Sequence, residues 1–133
     1  ESDSISHENN FVECLRFAFL AKKSKAAILD LTKWSEKLAT ISRDQQKDFL
    51  SYCSYLIREA MLISYSSKNL GSFSSNTDFK IDKLSPFVHS SNLIEIISLI
   101  EDCHYSISRN VNSKIVFTNF AITLTKLINK EEV

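Results

Sequence analysis

The feature that most constrains this fold is an uninterrupted helical pattern from Ser42 to Ser66, SRDQQKDFLSYCSYLIREAMLISYS. Ser42 and Gln45 have the spacing of a capping box, in which each side chain covers the other residue's free backbone N–H. From Phe49 onward the apolar residues, placed at about 100° each, cover about half of the helix circumference. A helix this apolar normally has neighbours on several sides. The sequence therefore predicts that this is the central helix of a bundle.

Glycine and proline are scarce, with one of each in 133 residues. Sandwiches and barrels need many turns, and turns use these two residue types. The shortage therefore favours long helices joined by few loops. An apolar content of 44% and a charged content of 24% are ordinary for a globular domain with a real core. We predict an all-α bundle of about five principal helices plus one short helix, in a single domain over residues 1–133.

Two helices are predicted before the central one. The first runs from about Asn9 to Lys22, and the second follows Ser24, its predicted cap, up to about Ile41. In both, apolar residues recur at helical spacing and mark the face that should be buried. These faces are Phe11, Val12, Leu15, Ala18 and Phe19 in the first helix, and Ile28, Leu31, Trp34, Leu38 and Ile41 in the second.

Two more helices are predicted after the central one. Asn92 with Glu95 forms a capping-box variant that opens the fourth helix, which ends near Arg109. Asn112 then caps the last helix, Ser113 to about Asn129. The predicted buried faces are Ile96, Ile97, Ile100, Cys103 and Ile107 in the fourth helix, and Val116, Phe117, Phe120, Ala121, Leu124, Leu127 and Ile128 in the last.

Ser66–Ser91 is the one irregular region, and it holds the only glycine and the only proline. A short helix is predicted over Thr77–Leu84. Pro86 should stop it, because the residue before a proline is pushed out of helical conformation. Phe87 and Val88 are then expected to tuck this segment against the bundle.

The sequence contains few signs of catalytic or ligand-binding chemistry. A single glycine rules out the glycine-rich loops that cradle nucleotide phosphates. The three histidines have no metal-ligand spacing to one another or to the cysteines. We therefore expect no catalytic residue, no metal site and no cofactor in this chain. The histidines are His7, His89 and His104.

The three cysteines and one glutamate need separate interpretations. Cys14, Cys53 and Cys103 are far apart in sequence, and each falls on the apolar side of a predicted helix. An odd count without paired spacing indicates small buried hydrophobes in a reducing compartment rather than a disulfide framework. Glu59 lies at the edge of the central helix's apolar arc, where a structural hydrogen bond or ion pair is the expected role.

The first helix carries more apolar surface than one buried face needs. Phe17 and Leu20 project about 100–180° away from its core side by helical geometry. Two large apolar side chains left in water would each forgo about 1.5–3 kcal/mol relative to burial. We therefore predict that Phe17 and Leu20 face a neighbouring protein domain. The alternative is that the Ser66–Ser91 segment folds over them.

Several runs of the sequence resemble the C-terminal domain of bacterial clamp-loader subunits, most closely the delta prime subunit of DNA polymerase III. The most specific pieces are the FLxYCxxLxRE pattern that ends at Glu59 and the R-N-x-N-x-K turn that begins at Arg109. The resemblance covers nearly the whole chain. Its runs are FVECLRFAF from Phe11, LTKWSEKLA from Leu31, SRDQQKDFLSYCSYLIREAMLISY from Ser42 and ISRNVNSKIVFTNFAITLTKL from Ile107.

This resemblance implies a collar domain, which joins five clamp-loader subunits in a ring that loads the sliding clamp onto primed DNA. The implied partners are the delta and gamma/tau subunits, and the implied location is the cytoplasm. The N-terminal AAA+ modules of such a subunit are absent from this sequence, so the chain should neither bind nor hydrolyse ATP. The implied parent complex is a component of the DNA polymerase III holoenzyme, a DNA-directed DNA polymerase.

Three alternatives remain open from the sequence. The chain is the equivalent domain of a gamma/tau subunit, a small helical enzyme, or a DNA-binding module whose last two helices form a helix-turn-helix. In the DNA-binding alternative the last helix would present Thr118, Asn119, Thr123 and Lys126 to a groove. A net charge of zero and the lack of arginine in that helix argue against it. No apolar run approaches the ~20 residues that cross a bilayer.

One prediction tests the assignment of the last helix. Replacing Asn112 by Ala should lower the free energy of unfolding by about 1 kcal/mol, the usual scale for a lost N-cap. Asn112→Asp should be nearly neutral, because aspartate caps as well as asparagine. Thermal unfolding of the three proteins measures both effects, and equal melting temperatures for Asn112→Ala and wild type would show that this residue is not the cap.

Overall fold

The computed structural model describes residues 2–65 and 81–130, and every regular element in these ranges is helical. This confirms the all-α class that the sequence predicts. Two short 3-10 helices, Ile81–Lys83 and Ser85–Phe87, lie between the third and fourth long helices. The long helices are α1 (Ser2–Leu20), α2 (Ala26–Leu38), α3 (Arg43–Tyr65), α4 (Leu93–Ser108) and α5 (Ser113–Ile128).

Three pairs of successive helices, α1–α2, α3–α4 and α4–α5, run antiparallel, as contacts between them show. In the α1–α2 hairpin, Trp34 Nε1 donates to the carbonyl of Asn10 at 2.9 Å. At the start of α3, an Arg43 guanidinium nitrogen donates to the carbonyl of Ile107, near the end of α4, at 3.1 Å. In the α4–α5 hairpin, Lys130 Nζ lies 2.8 Å from Glu95 Oε1. In the α1–α2 and α4–α5 hairpins the short connection forces this arrangement, because a helix that turns back at once must lie beside its predecessor.

An aromatic cluster occupies the centre of the bundle. Trp34 of α2, Phe49 of α3 and Phe117 and Phe120 of α5 are all almost fully buried. Their ring centroids are 5.9–6.4 Å apart, and the Trp34 and Phe120 rings are stacked. Aromatic pairs at this spacing stabilise a core by about 0.5–1.5 kcal/mol beyond the area that they bury. The cluster therefore ties three helices together at one point.

Both α3 and α5 have neighbours on several sides, and α5 packs against α1, α2 and α4. The sequence predicts such a position for the Ser42–Ser66 helix. In the structure α3 packs mainly against α4, with further contacts to α1 and both 3-10 helices. Its far side is solvated, with Tyr55 at 39% and Leu62 at 48% exposure. The prediction that α3 has neighbours on several sides is confirmed, but the helix is not enclosed on its far side, where Tyr55 and Leu62 face solvent.

The start of α3 is held by Ser42 and Gln46. Ser42 Oγ accepts a hydrogen bond from the backbone N–H of Gln45 at 3.2 Å, as an N-cap does. The buried Gln46 amide donates to the carbonyls of Leu38 and Ile41, which end the preceding helix. Gln46 Oε1 also accepts a hydrogen bond from the Ser113 hydroxyl at the start of α5. One glutamine side chain therefore joins three helix ends.

The first two helices differ from their predicted boundaries. Helix α1 spans Ser2–Leu20, so it begins well before its predicted start near Asn9. Helix α2 spans Ala26–Leu38, and its N-terminal boundary residue, Lys25, makes no side-chain capping bond, so the predicted cap at Ser24 is wrong. Ile28, predicted as a core residue, is 51% exposed, and Ala27 is buried.

The segment before α4 packs on the bundle as predicted, but in a different form. The predicted Thr77–Leu84 helix lies partly outside the described residues, and its described end is the 3-10 helix Ile81–Lys83. Pro86 does not stop helical structure. It lies in the first turn of the second 3-10 helix, where a missing N–H costs nothing. Val88 is fully buried, and the Phe87 ring centroid lies 4.6 Å from that of Phe19.

Asn92 occupies the N-cap position of α4 without capping it through its side chain, so the capping-box prediction is wrong. Its Oδ1 accepts a hydrogen bond from the backbone N–H of His89, which lies before the helix. Its Nδ2 donates to the carbonyls of Phe87 and Leu127, both at 2.9 Å. The residue is 1% exposed. Asn92 is therefore a buried bridge between the 3-10 segment and the end of α5.

This bridging role predicts a specific mutational pattern. Asn92→Ala should lower the free energy of unfolding by about 2–4 kcal/mol, because it leaves buried backbone groups without partners. Asn92→Asp should also destabilise the protein, since a carboxylate would face two carbonyl oxygens. A side-chain cap would tolerate aspartate. Chemical denaturation of both variants distinguishes the roles, and an Asn92→Asp protein as stable as wild type would contradict the bridge.

Candidate interface

The three thiols are structural. Cys14, Cys53 and Cys103 come from α1, α3 and α4, and each is at most 3% exposed. Burial raises the pKa of the Cys103 thiol to about 12, with a smaller contribution from the charge of Asp102. Burial also raises the pKa values of the Cys14 and Cys53 thiols well above their ordinary range. The thiolate is the reactive form, so these side chains behave as small hydrophobes.

Two of the three histidines are buried in the core. His89 Nε2 lies 3.0 Å from the carbonyl of Lys130 and must carry the proton there, because a carbonyl only accepts. The His7 ring lies against Phe49 and Tyr52. Among the residues that the structure describes, no group of three or more His, Cys, Asp or Glu side chains is placed to hold a metal ion.

Glu59 is buried, with 8% of its surface exposed. Its Oε1 has no hydrogen-bond partner among the described residues, so the expected structural bond is not seen for this atom. The neighbouring Arg58 is exposed and lines a cleft between α3 and α4. Glu59 and Arg58 therefore do not form an ion pair in the described part of the chain.

The predicted interface residues Phe17 and Leu20 lie in different settings. Phe17 is half-buried and lines a groove between α1 and α2 with Trp34. Leu20 is 47% exposed at the end of α1. Neither side chain is fully covered by the rest of the protein. The described 3-10 segment packs against Phe19, on another side of the same helix.

A larger exposed apolar surface lies on α5. Ile115 and Ile122 are 65% and 45% exposed, although isoleucine is usually buried. At about 100° per residue they fall within about 20° of each other and opposite the buried stripe of the helix. Thr118 and Asn119 lie between them, and these side chains line an open groove of about 590 Å³. The outward side of α5 therefore carries two exposed isoleucines two turns apart, with Thr118 and Asn119 between them.

The neighbouring helix α2 also carries exposed apolar residues. It packs beside α5, and Lys114 Nζ at the start of α5 lies 3.1 Å from Glu36 Oε2 near the end of α2. Ile28 and Leu29, in the first turn of α2, are 51% and 66% exposed. We call the surface formed by Ile28, Leu29, Ile115 and Ile122 the α2–α5 face. Sequence reasoning missed its two α5 residues, although both fall opposite the predicted stripe.

The geometry of the last two helices bears on the DNA-binding alternative. A helix-turn-helix crosses its two helices at about 90–120°. Here the start of α4 contacts the end of α5 through Asn92 with Leu127 and through Glu95 with Lys130. The two helices are therefore an antiparallel hairpin, and the helix-turn-helix arrangement is wrong.

Comparisons with protein-family models, with curated proteins and with solved structures find no match to this chain. In the described ranges, no helix has the length and apolar character needed to cross a membrane.

Thiol reactivity tests the packing of the cysteines. Because their pKa values are higher in the folded than in the unfolded chain, the stability that burial provides is complete below about pH 9 and falls as pH rises toward about 12. At pH 8 the native protein should therefore react with a thiol reagent only on the timescale of unfolding. The denatured protein should titrate three thiols.

A Ser51→Cys variant is the matched control, because Ser51 is exposed on α3. It should show one fast-reacting thiol and three slow ones. Fast reaction of the wild-type protein under native conditions would contradict the buried placement of the cysteines.

Proposed function

We propose that this chain is an assembly domain of the collar type, from a bacterial clamp-loader subunit most similar to delta prime. Two things support the proposal: the sequence resemblance, and the exposed apolar α2–α5 face. The face is the observation that carries it. The bundle would act in the cytoplasm by packing against the equivalent domains of the delta and gamma/tau subunits.

Exposed apolar surface of this size favours an interface. Each large apolar side chain that moves fully from water into a contact gains about 1.5–3 kcal/mol. Ile28, Leu29, Ile115 and Ile122 are each 45–66% exposed, so each has about half of that gain still available. Contiguous apolar surface on a folded domain usually marks a binding site for another protein.

The polar groups around the face also favour a protein partner over DNA. Binding to DNA phosphates needs lysine or arginine side chains that are not already paired with an acidic residue. On the α2–α5 face, Lys114 is held by Glu36 at 3.1 Å. The centre of the α5 surface is occupied by Ile115 and Ile122, which offer no hydrogen bond to a base edge. A helical surface of another protein fits this chemistry better.

The proposed mechanism is assembly, with the helices of the bundle serving as a rigid contact surface. Leu20 lies at the same end of the α1–α2 hairpin as Leu29. In the collar, Leu20 and half-buried Phe17 would extend the contact to a second neighbour or to the AAA+ modules of the same subunit. The chain itself would carry out no chemical step.

Charge substitution on α5 tests the proposal. The chain is mixed with the delta and gamma/tau subunits of the same organism, and complexes are measured by size-exclusion chromatography with light scattering. Wild type should join them in a stable complex. Ile115→Lys combined with Ile122→Lys should weaken this association at least tenfold, because two cations would be buried in an apolar contact.

Ile94→Lys is the matched control. Ile94 is 76% exposed on α4, outside the α2–α5 face, so its substitution should leave association unchanged. Thermal unfolding checks that all variants fold. Equal association of the double variant and wild type would contradict the α2–α5 face, and failure of the wild-type chain to join any clamp-loader subunit would contradict the collar assignment.

A further inference from the structure

A second surface, distinct from the α2–α5 face, lies where α1 meets the 3-10 segment. A groove of about 210 Å³ runs between them. Its floor is apolar, and its two charged members are Arg16 and Lys83. The apolar lining residues are Val12, Leu15, Phe19 and Leu84.

The groove continues past an aromatic pair. Phe19 contacts Phe87, which is itself 40% exposed. On the far side of Phe87, a second depression of about 240 Å³ is lined by Pro86 and by two further cations, Lys22 and Lys130. We call the two depressions and the Phe19–Phe87 pair between them the α1 groove.

The charges of the α1 groove are of one sign. Among the described residues that line the two depressions, none is acidic. Lys130 is paired with Glu95 at 2.8 Å. Arg16, Lys22 and Lys83 form no ion pair with any other residue in the described part of the chain. Within the described ranges, two acids lie next to lining residues in sequence: Asp82, beside Lys83, is exposed, and Glu13, beside Val12, is paired with Lys37 of α2.

The size of the groove limits its occupant. Sites for cofactors and drug-sized ligands usually have about 300–1,000 Å³. At about 210 Å³ the first depression has room for one large apolar side chain. Carboxylates that flank such a side chain would lie next to Arg16 and Lys83, whose attraction acts over about 8–10 Å in ordinary salt.

We propose that the α1 groove binds a peptide segment of a partner protein in which a large apolar residue, phenylalanine or leucine, is flanked by aspartate or glutamate. The apolar side chain enters the depression beside Phe19. The flanking carboxylates pair with Arg16 and Lys83, and a further acid reaches Lys22. The proposal rests on the shape and charge of this surface, and it does not depend on the collar assignment.

An unbiased peptide selection tests the proposal. A library of fully randomised peptides displayed on phage is selected against the wild-type chain and, separately, against an Arg16→Glu, Lys83→Glu variant. Peptides selected by wild type should be enriched in phenylalanine or leucine next to acids. Labelled synthetic copies should bind wild type at least tenfold more tightly than the variant, and affinity should fall as salt rises.

Two controls make the result decisive. Lys33→Glu changes an exposed lysine on α2, outside the groove, and should leave peptide affinity within twofold of wild type. Light scattering on wild type and the double variant tests whether the groove instead holds a second copy of the chain. The proposal is wrong if selection yields no acid-flanked apolar motif, if the double variant binds the same peptides equally, or if the substitutions change the oligomeric state.

Discussion

The ring cluster of Trp34, Phe49, Phe117 and Phe120 is the interaction on which this bundle depends. It joins the adjacent helices α2 and α3 to α5, which is remote from both in sequence, so the cluster forms only once the chain has folded back on itself. The Trp34 indole also forms a hydrogen bond to a fourth helix, because its Nε1 donates to the carbonyl of Asn10 in α1. Rings supply much buried area with few rotatable bonds, so they order a core at little entropic cost.

Helical periodicity predicts most of this fold, because a bundle core requires only one apolar stripe per helix. All seven residues of the α5 stripe are buried, and the helix ends within one residue of its predicted end. Capping patterns are less decisive. Asn112 Oδ1 accepts a hydrogen bond from the backbone N–H of Ile115 as an N-cap does, whereas Asn92, which has the fuller capping pattern with Glu95, bonds elsewhere. Local sequence does not show that the carbonyl of Leu127 lies within hydrogen-bonding distance of the Asn92 side chain.

The candidate surfaces are harder to predict, since exposure depends on which helices are neighbours. Ile28 is predicted to lie in the α2 core, yet Ala27 is the buried residue, because it shares the i, i+4, i+7 face of Leu31 and Trp34. Arg16 and Lys83 are remote in sequence, and only the placement of the 3-10 segment against α1 brings them to one groove. Apolar patterns therefore locate cores well, but they do not show which of the exposed residues outside the core lie together on one surface.

The hydrogen bonds at both ends of α5 bear on how a partner could bind it. Ser113 is held by Gln46 at one end, and the carbonyls of Leu127 and Lys130 are held by Asn92 and His89 at the other. The backbone of this helix therefore cannot shift along its axis or unwind without breaking buried bonds. A surface that is already in its bound geometry loses little conformational entropy on association. Ile115 and Ile122 are thus pre-organised, and the free energy of their burial is available for affinity instead of being spent on ordering the helix.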